Sequence, residues 1–439
     1  MLIIEGPAED LDLPRDHFEE ELNPVAGELR GLRALVLGGT GLIGSHIVAS
    51  LLERGCSVRI LSRAGQAKRA PALDGLSPLE MLAGSLEDAA SLRAALDGMD
   101  LLFHAAGPYP TRHLGMGRMI RRAVTEMETL LDICRDLAPS ELLGNRVPHS
   151  RRVAIEQAEM AVHVARVQPE RREEIRASVR DPELLKLAEE GRLNASQHPS
   201  LEECRRLPGL KRVVYTSSVT TIGLPRGTEP GSPRRRLATE ADRYDLAPHP
   251  SPYFECKHLL EAVVARSANE GLPAVIVNPT LVVGARDAHL TTGRLLIPVA
   301  RGKMPFYLRG RIDAVAARDV GEAHVLAALR GRTGQRYIVG GESHSLRGFL
   351  GMVAEEAGRR PPFLPVPTFA AEPVALLSEW LALRGKKEWP LFPMHGLRML
   401  RNTPETDDSL ARVELGVPRS SLREAVRSAL EWYRKERLL

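Results

Sequence analysis

The stretch "SPYFECKHLLEA" (residues 251–262) carries Tyr253 and Lys257 four positions apart, where the chain reads as the start of a helix. Residues i and i+4 share one helix face. Adding hydride to a ketone builds alkoxide charge that must be protonated, and a phenol of pKa about 10 is a poor base at neutral pH. A lysine ammonium beside it stabilises the phenolate and lowers that pKa. Ser218, in "LKRVVYTSSVTTIG" (210–223), lies about 35 residues upstream, after a run that reads as a strand. Its hydroxyl would orient the substrate oxygen. A Tyr–x3–Lys pair alone is common by chance, so the case depends on what precedes it.

What precedes it is "LRALVLGGTGLIGSHIVASLLERGCSVRILSR" (32–63). Residues 34–37 form a short apolar strand, and Gly38, Thr40, Gly41, Leu42, Ile43 and Gly44 follow in a GxxGxxG loop. A helix with Ile47, Val48, Leu51 and Leu52 at helical spacing comes next, and Gly55 ends it before a second strand at 58–61. Glycines there let the backbone turn tightly and approach a pyrophosphate, whose charge the helix N-terminus meets. An acidic residue after the second strand would bind an NAD ribose, but Ser62 and Arg63 occupy that place. Arginine pairs with a 2′-phosphate, so NADP(H) is expected over NAD(H). "MDLLFHAAGP" (99–108) delivers Ala105 and Ala106 to the same edge, and "LPAVIVNPTLVVG" (272–284) delivers Pro279.

These motifs resemble the extended short-chain dehydrogenases/reductases, over about residues 32–138 and 209–436. "KRVVYTSSVTTIGLP", "EGLPAVIVNPTLVVGARD", "TTGRLLIPVARGKMPFYL" and "GQRYIVGGESHSLRGFL" are similar to the dihydroflavonol reductase and 3β-hydroxysteroid dehydrogenase group. Bacterial members labelled hopanoid-associated epimerases are also similar. The resemblance implies an α/β fold: a Rossmann-type doubly wound parallel sheet with a smaller C-terminal substrate domain. It implies Ser218, Tyr253 and Lys257 as catalytic residues. Ser85 and Leu86 would lie near the adenine, and Tyr253 and Lys257 would also touch the cofactor. The substrate wall would come from Thr280, Leu281 and positions 290–296 and 304–307.

Three departures stand out. Gly84-Ser85-Leu86 replaces the family's Gly-Asp-Leu, and Ala123 replaces an asparagine that helps organise a water relay in many relatives. About 70 residues (139–208) fill what is a short connection elsewhere. Their apolar spacing, with Asp181 as N-cap and Pro182 at the first helical position, predicts a helical insertion. His149, His163 and His198 within it lack ligand spacing. The expected division is an acidic N-terminal extension (1–30), a nucleotide-binding domain (31–290) carrying the insertion, and a substrate domain (291–439).

Composition narrows the classes. A net charge of +4 and 4% aromatic residues argue against nucleic-acid binding. Cys56, Cys134, Cys204 and Cys256 lack CxxC or metal-ligand spacing and read as free thiols in a reducing, cytoplasmic setting. No metal is expected. No run long enough to span a membrane occurs, and "FAAEPVALLSEWLALRG" (369–385) reads as an amphipathic core helix. Arg234, Arg235 and Arg236 lie in a proline-rich loop that reads as solvated. The expected activity is NADPH-dependent reduction of a ketone, or the reverse oxidation, on a fairly apolar small molecule of secondary metabolism. An NAD-retaining nucleotide-sugar epimerase or dehydratase is the alternative. A regulatory nucleotide-binding protein docking a partner through 139–208 is a second, and a homodimer is compatible with each.

Overall fold

The computed structural model describes residues 27–63, 70–107, 116–143, 199–223, 225, 237–242, 244, 252–366, 371–373, 375 and 394–439. Most of the N-terminal extension and of the insertion, Arg234–Arg236, and nearly all of 369–385 lie outside them.

Seven parallel strands form the main sheet in the order β10-β6-β5-β4-β1-β2-β3. They are β1 (Arg33–Leu37), β2 (Ser57–Ser62), β3 (Leu79–Ala83), β4 (Leu101–His104), β5 (Arg212–Thr216), β6 (Ala274–Pro279) and β10 (Arg336–Val339). Their side chains alternate between two cores, as the strand period of two requires. Ala34 and Val36 join one cluster with Ile47, Val48 and Leu51 of α1 (Leu42–Glu53) and Val320 of α6 (Ala317–Arg330). Leu35 and Leu37 join the other with Leu92 of α2 (Ala89–Leu96), Leu130 of α3 (Met116–Leu137) and Leu260 of α4 (Pro252–Asn269). Helices on both faces explain why these strands read as continuous apolar runs.

The order reverses between β1 and β4, and ligands bind at such a switch point, beyond the strands' C-terminal ends. That edge receives the glycine loop, the 105–106 stretch, Ser217–Ser218 and Pro279.

A second body packs β7 (Leu281–Val283), β9 (Arg311–Ala316) and β11 (Glu342–Ser345) with α5 (Gly293–Ala300), α7 (Leu346–Glu356), and α9 (Leu422–Lys435). The remaining labelled elements are a parallel pair, β8 (Phe306–Leu308) with β12 (Leu364–Val366), and α8 (Met394–Asn402). A cut at residue 290 does not capture this division, because α6 and β10 lie beyond it yet complete the main sheet's layers. The chain therefore crosses between the two bodies more than once.

Helices α1 and α6 meet closely because Gly321 has no side chain. A Cβ there would fall 2.5 Å from the His46 carbonyl carbon, against backbone that cannot swing aside. Gly321→Ala should therefore lower unfolding free energy by about 1–3 kcal/mol in a denaturant titration. An unchanged midpoint would contradict this helix approach.

Candidate active site

The glycine loop is built for close backbone contact. Gly38 adopts φ +81°, and a Cβ on it would fall 2.6 Å from the Ala106 nitrogen. A Cβ on Gly44 would lie 2.1 Å from the Gly38 oxygen. Gly41 is the N-cap of α1 with no side-chain cap, so the first amides of that helix remain for an anion. These features fit a dinucleotide's pyrophosphate in the space bounded by Gly38, Thr40, Gly41, Leu42, Ile43, Ala105 and Ala106. Ser62 is buried at the end of β2, and its carbonyl accepts from Gly84 N at 2.9 Å. That bond brings the Ser85-Leu86 turn beside Ser62 and the exposed Arg63.

Ser218, Tyr253 and Lys257 meet at the ends of β5 and β6. Ser218 Oγ accepts from Thr220 N at 3.2 Å and hydrogen-bonds the Tyr253 phenol. Helix α4 begins at Pro252, one position before Tyr253. Burial pushes the Tyr253 phenol up to about 12, and the bond to Ser218 only partly opposes that. Lys257 donates to the Thr216 carbonyl at 3.0 Å, with its ammonium 5.6 Å from the centre of the Tyr215 ring. Burial pushes Lys257 down to about 8. The lowering by lysine expected at Tyr253 is not found: burial is the largest influence on the phenol and keeps it protonated.

Sequence reasoning missed Glu261. It continues the face of Tyr253 and Lys257 at i+8 and is 6% exposed. Its Oε2 accepts from Ser217 Oγ, from Thr221 Oγ1 at 2.7 Å and from Asn278 Nδ2 at 2.7 Å. Its Oε1 pairs with Arg336 at 3.0 Å. Burial alone would raise its pKa, but Arg336 and the hydrogen bonds hold it below the usual range. The available signal was the unbroken i, i+4, i+8 spacing; a helical glutamate otherwise reads as solvated.

Ala123 lines a cavity of about 30 Å³ with His104, Ala106, Glu126 and Leu260. His104 stands edge-on to Tyr215, ring centres 5.7 Å apart, and its Nδ1 has no hydrogen-bond partner. The expected substrate wall divides. Leu296 is wholly buried in the second body's core, while Leu281, Leu290, Leu295, Met304 and Tyr307 are partly buried against it. Thr280 is buried, donating its amide to Val339 O at 3.1 Å.

A family model described as "NAD dependent epimerase/dehydratase family" matches residues 34–144 and 197–340. The chain belongs to that family. The match omits 145–196, the heart of the insertion. The chain is 29% identical over 404 residues to a putative dihydroflavonol 4-reductase of Synechocystis sp., covering 91% of this chain and 93% of that one. It is 27% identical over 413 residues to the sterol demethylase protein B of Methylococcus capsulatus, covering 93% and 100%. The crystal structure of gox2253 superposes with a TM-score of 0.62 at 27% identity, covering 92% of this chain and 98% of that one. This epimerase/dehydratase family member is an NAD(P)-dependent oxidoreductase of the extended short-chain type, and its cofactor is a nicotinamide dinucleotide. Among the described residues no helix is long and apolar enough to cross a membrane.

Gly44→Ala should weaken binding of the reduced nicotinamide dinucleotide, NADH or NADPH, by more than about a hundredfold in a fluorescence titration while the far-UV spectrum stays native, since the added methyl forces the loop out of shape. Affinity within threefold of wild type would contradict the cradle.

Proposed function

We propose that this chain reduces a ketone on a fairly apolar small molecule, using NADPH. The observation that carries the reading is the Ser218–Tyr253 hydrogen bond at the sheet's C-terminal edge, with the phenol held protonated by burial. A protonated phenol is the form reduction needs, because an alkoxide is more basic than a phenolate and takes its proton downhill. Ser218 orients the carbonyl oxygen, and Tyr253 gives that oxygen a proton. Lys257 offers a positive charge to the phenolate left behind and binds ribose. NADPH, when bound, supplies the hydride to the carbonyl carbon and leaves as NADP⁺. Exposed Arg63 at the end of β2 would take the 2′-phosphate, and Ser62 adds no carboxylate to repel it.

Support for an apolar substrate comes from the sterol named for the Methylococcus relative. Four buried free cysteines fit a reducing compartment. The family description itself favours a second reading, an epimerase that keeps its NAD through repeated turnovers. That reading requires nucleotide to remain with the protein through purification and no net NADPH consumption.

Tyr253→Phe should lower kcat for NADPH oxidation with a ketone panel by at least about a hundredfold. Turnover as fast as wild type would refute the assigned proton donor. Separately, Arg63→Ala should reduce the preference for NADPH over NADH by about tenfold or more in kcat/KM. An unchanged ratio would remove Arg63 from the cofactor site.

A further inference from the structure

The geometry points to Glu261 as a positioning residue of this site: its buried carboxylate fixes the loop that carries Ser218 and sets a permanent negative charge beside Lys257. The inference rests on the proposed roles of Ser218, Tyr253 and Lys257.

The first half is a matter of hydrogen bonds. Glu261 accepts from Ser217 and Thr221, the residues flanking the turn that Ser218 opens. Asn278, at the end of β6, donates both to Glu261 and to Ser218 O, at 2.7 and 3.2 Å. The single hydroxyl proton of Thr221 is shared between Glu261 Oε2 and Ser218 O, 2.7 and 2.8 Å from its Oγ1. The Ser218 backbone is therefore held by two groups that Glu261 itself holds. Arg336 ties the same carboxylate to β10 and donates to the Asp242 and Glu240 carbonyls. One acceptor thus locks α4, β5, β6 and β10 together.

The second half is electrostatic. Lys257 is surrounded by titratable groups on four elements: Tyr253, Cys256 and Glu261 on its own helix, Tyr215 on β5, His104 on β4 and His324 on α6. Burial pushes both histidines down to about 4, with the Lys257 charge adding to the effect, so both are neutral at working pH. Burial likewise holds Tyr215, Tyr253 and Cys256 above their ordinary values and therefore uncharged. Glu261 is left as the anion of the group. Burial lowers the Lys257 pKa; the Glu261 charge opposes that loss, as Cys256 would only as its thiolate. Without Glu261, the Arg336 charge that it neutralises would also be uncovered.

The test compares Glu261→Gln, which removes the charge, with Glu261→Asp, which keeps it on a shorter arm. NADPH affinity by fluorescence quenching, and NADPH oxidation with a bicyclic aryl ketone, are followed from about pH 6 to 10. Lys257 has a depressed pKa and is protonated below it, so losing the anion moves its titration to lower pH. Glu261→Gln should shift the alkaline limb of both profiles down by about one unit or more and cut kcat by about tenfold or more. Glu261→Asp should lose kcat with its limb within about 0.3 unit of wild type. A purely structural role would lower activity in both variants and leave both limbs in place, which overturns the electrostatic half. Both variants within twofold of wild-type kcat would overturn the positioning half. If Glu261→Gln does not fold, the Glu261→Asp pair of readouts still decides: unchanged kcat, or a limb displaced by a full unit, overturns the inference. Tyr253→Phe, run alongside, separates the failures. An active Tyr253→Phe sinks the functional reading, whereas an inactive one with unaffected Glu261 variants sinks this inference alone.

Discussion

One ionised carboxylate, buried where strand ends converge, has more of the site depending on it than any other group. Burying a charge in protein costs several kcal/mol unless it is fully hydrogen-bonded and paired. Glu261 meets that demand with Ser217, Thr221, Asn278 and Arg336. Each of those partners lies on a different loop or strand end except the first two, so satisfying the charge fixes their mutual placement. Ser218 and Lys257 inherit their positions from that arrangement. The same burial that makes the network demanding also keeps Tyr253 protonated.

The cofactor half of the site obeys a different constraint, backbone proximity. Gly38 and Gly44 are glycines because neighbouring backbone atoms occupy the volume a Cβ would need. The loop packs directly on Ala105 and Ala106 at the strand-order reversal. The two halves meet across β4 and β5, where His104 and Tyr215 stack edge to face. Ala123 leaves a cavity beside that contact, with the His104 Nδ1 unpartnered at its wall. A space of that size takes about two waters, and an orphan imidazole nitrogen is a natural partner for one.

The sheet was readable because both-face burial writes each strand as an uninterrupted apolar run, and the glycine spacing marked the first crossover. Ser218, Tyr253 and Lys257, whose catalytic roles are proposed, were readable as neighbours at one edge from the order of their motifs. Glu261 was not, since nothing local distinguishes a buried helical glutamate from a solvated one; its partners come from Arg336, 75 positions away, and from Asn278, 17 away. The return of β10 to the main sheet was hidden for the same reason, because strand pairing at long separation leaves no local pattern. The dominance of burial at Tyr253 also required three dimensions, since the sequence pairs it with Lys257 without showing how little water reaches either.

On the proposed reading, with Tyr253 kept protonated by burial as the proton donor, the enzyme would consume NADPH stoichiometrically. The most direct measurement is the fate of deuterium at the reactive carbon of the nicotinamide. With NADPH dideuterated at C4 and a ketone that turns over, the account predicts one deuterium on the new carbinol carbon for each NADP⁺ formed and released. Product without deuterium, or nucleotide that stays bound while the substrate merely inverts, would contradict it.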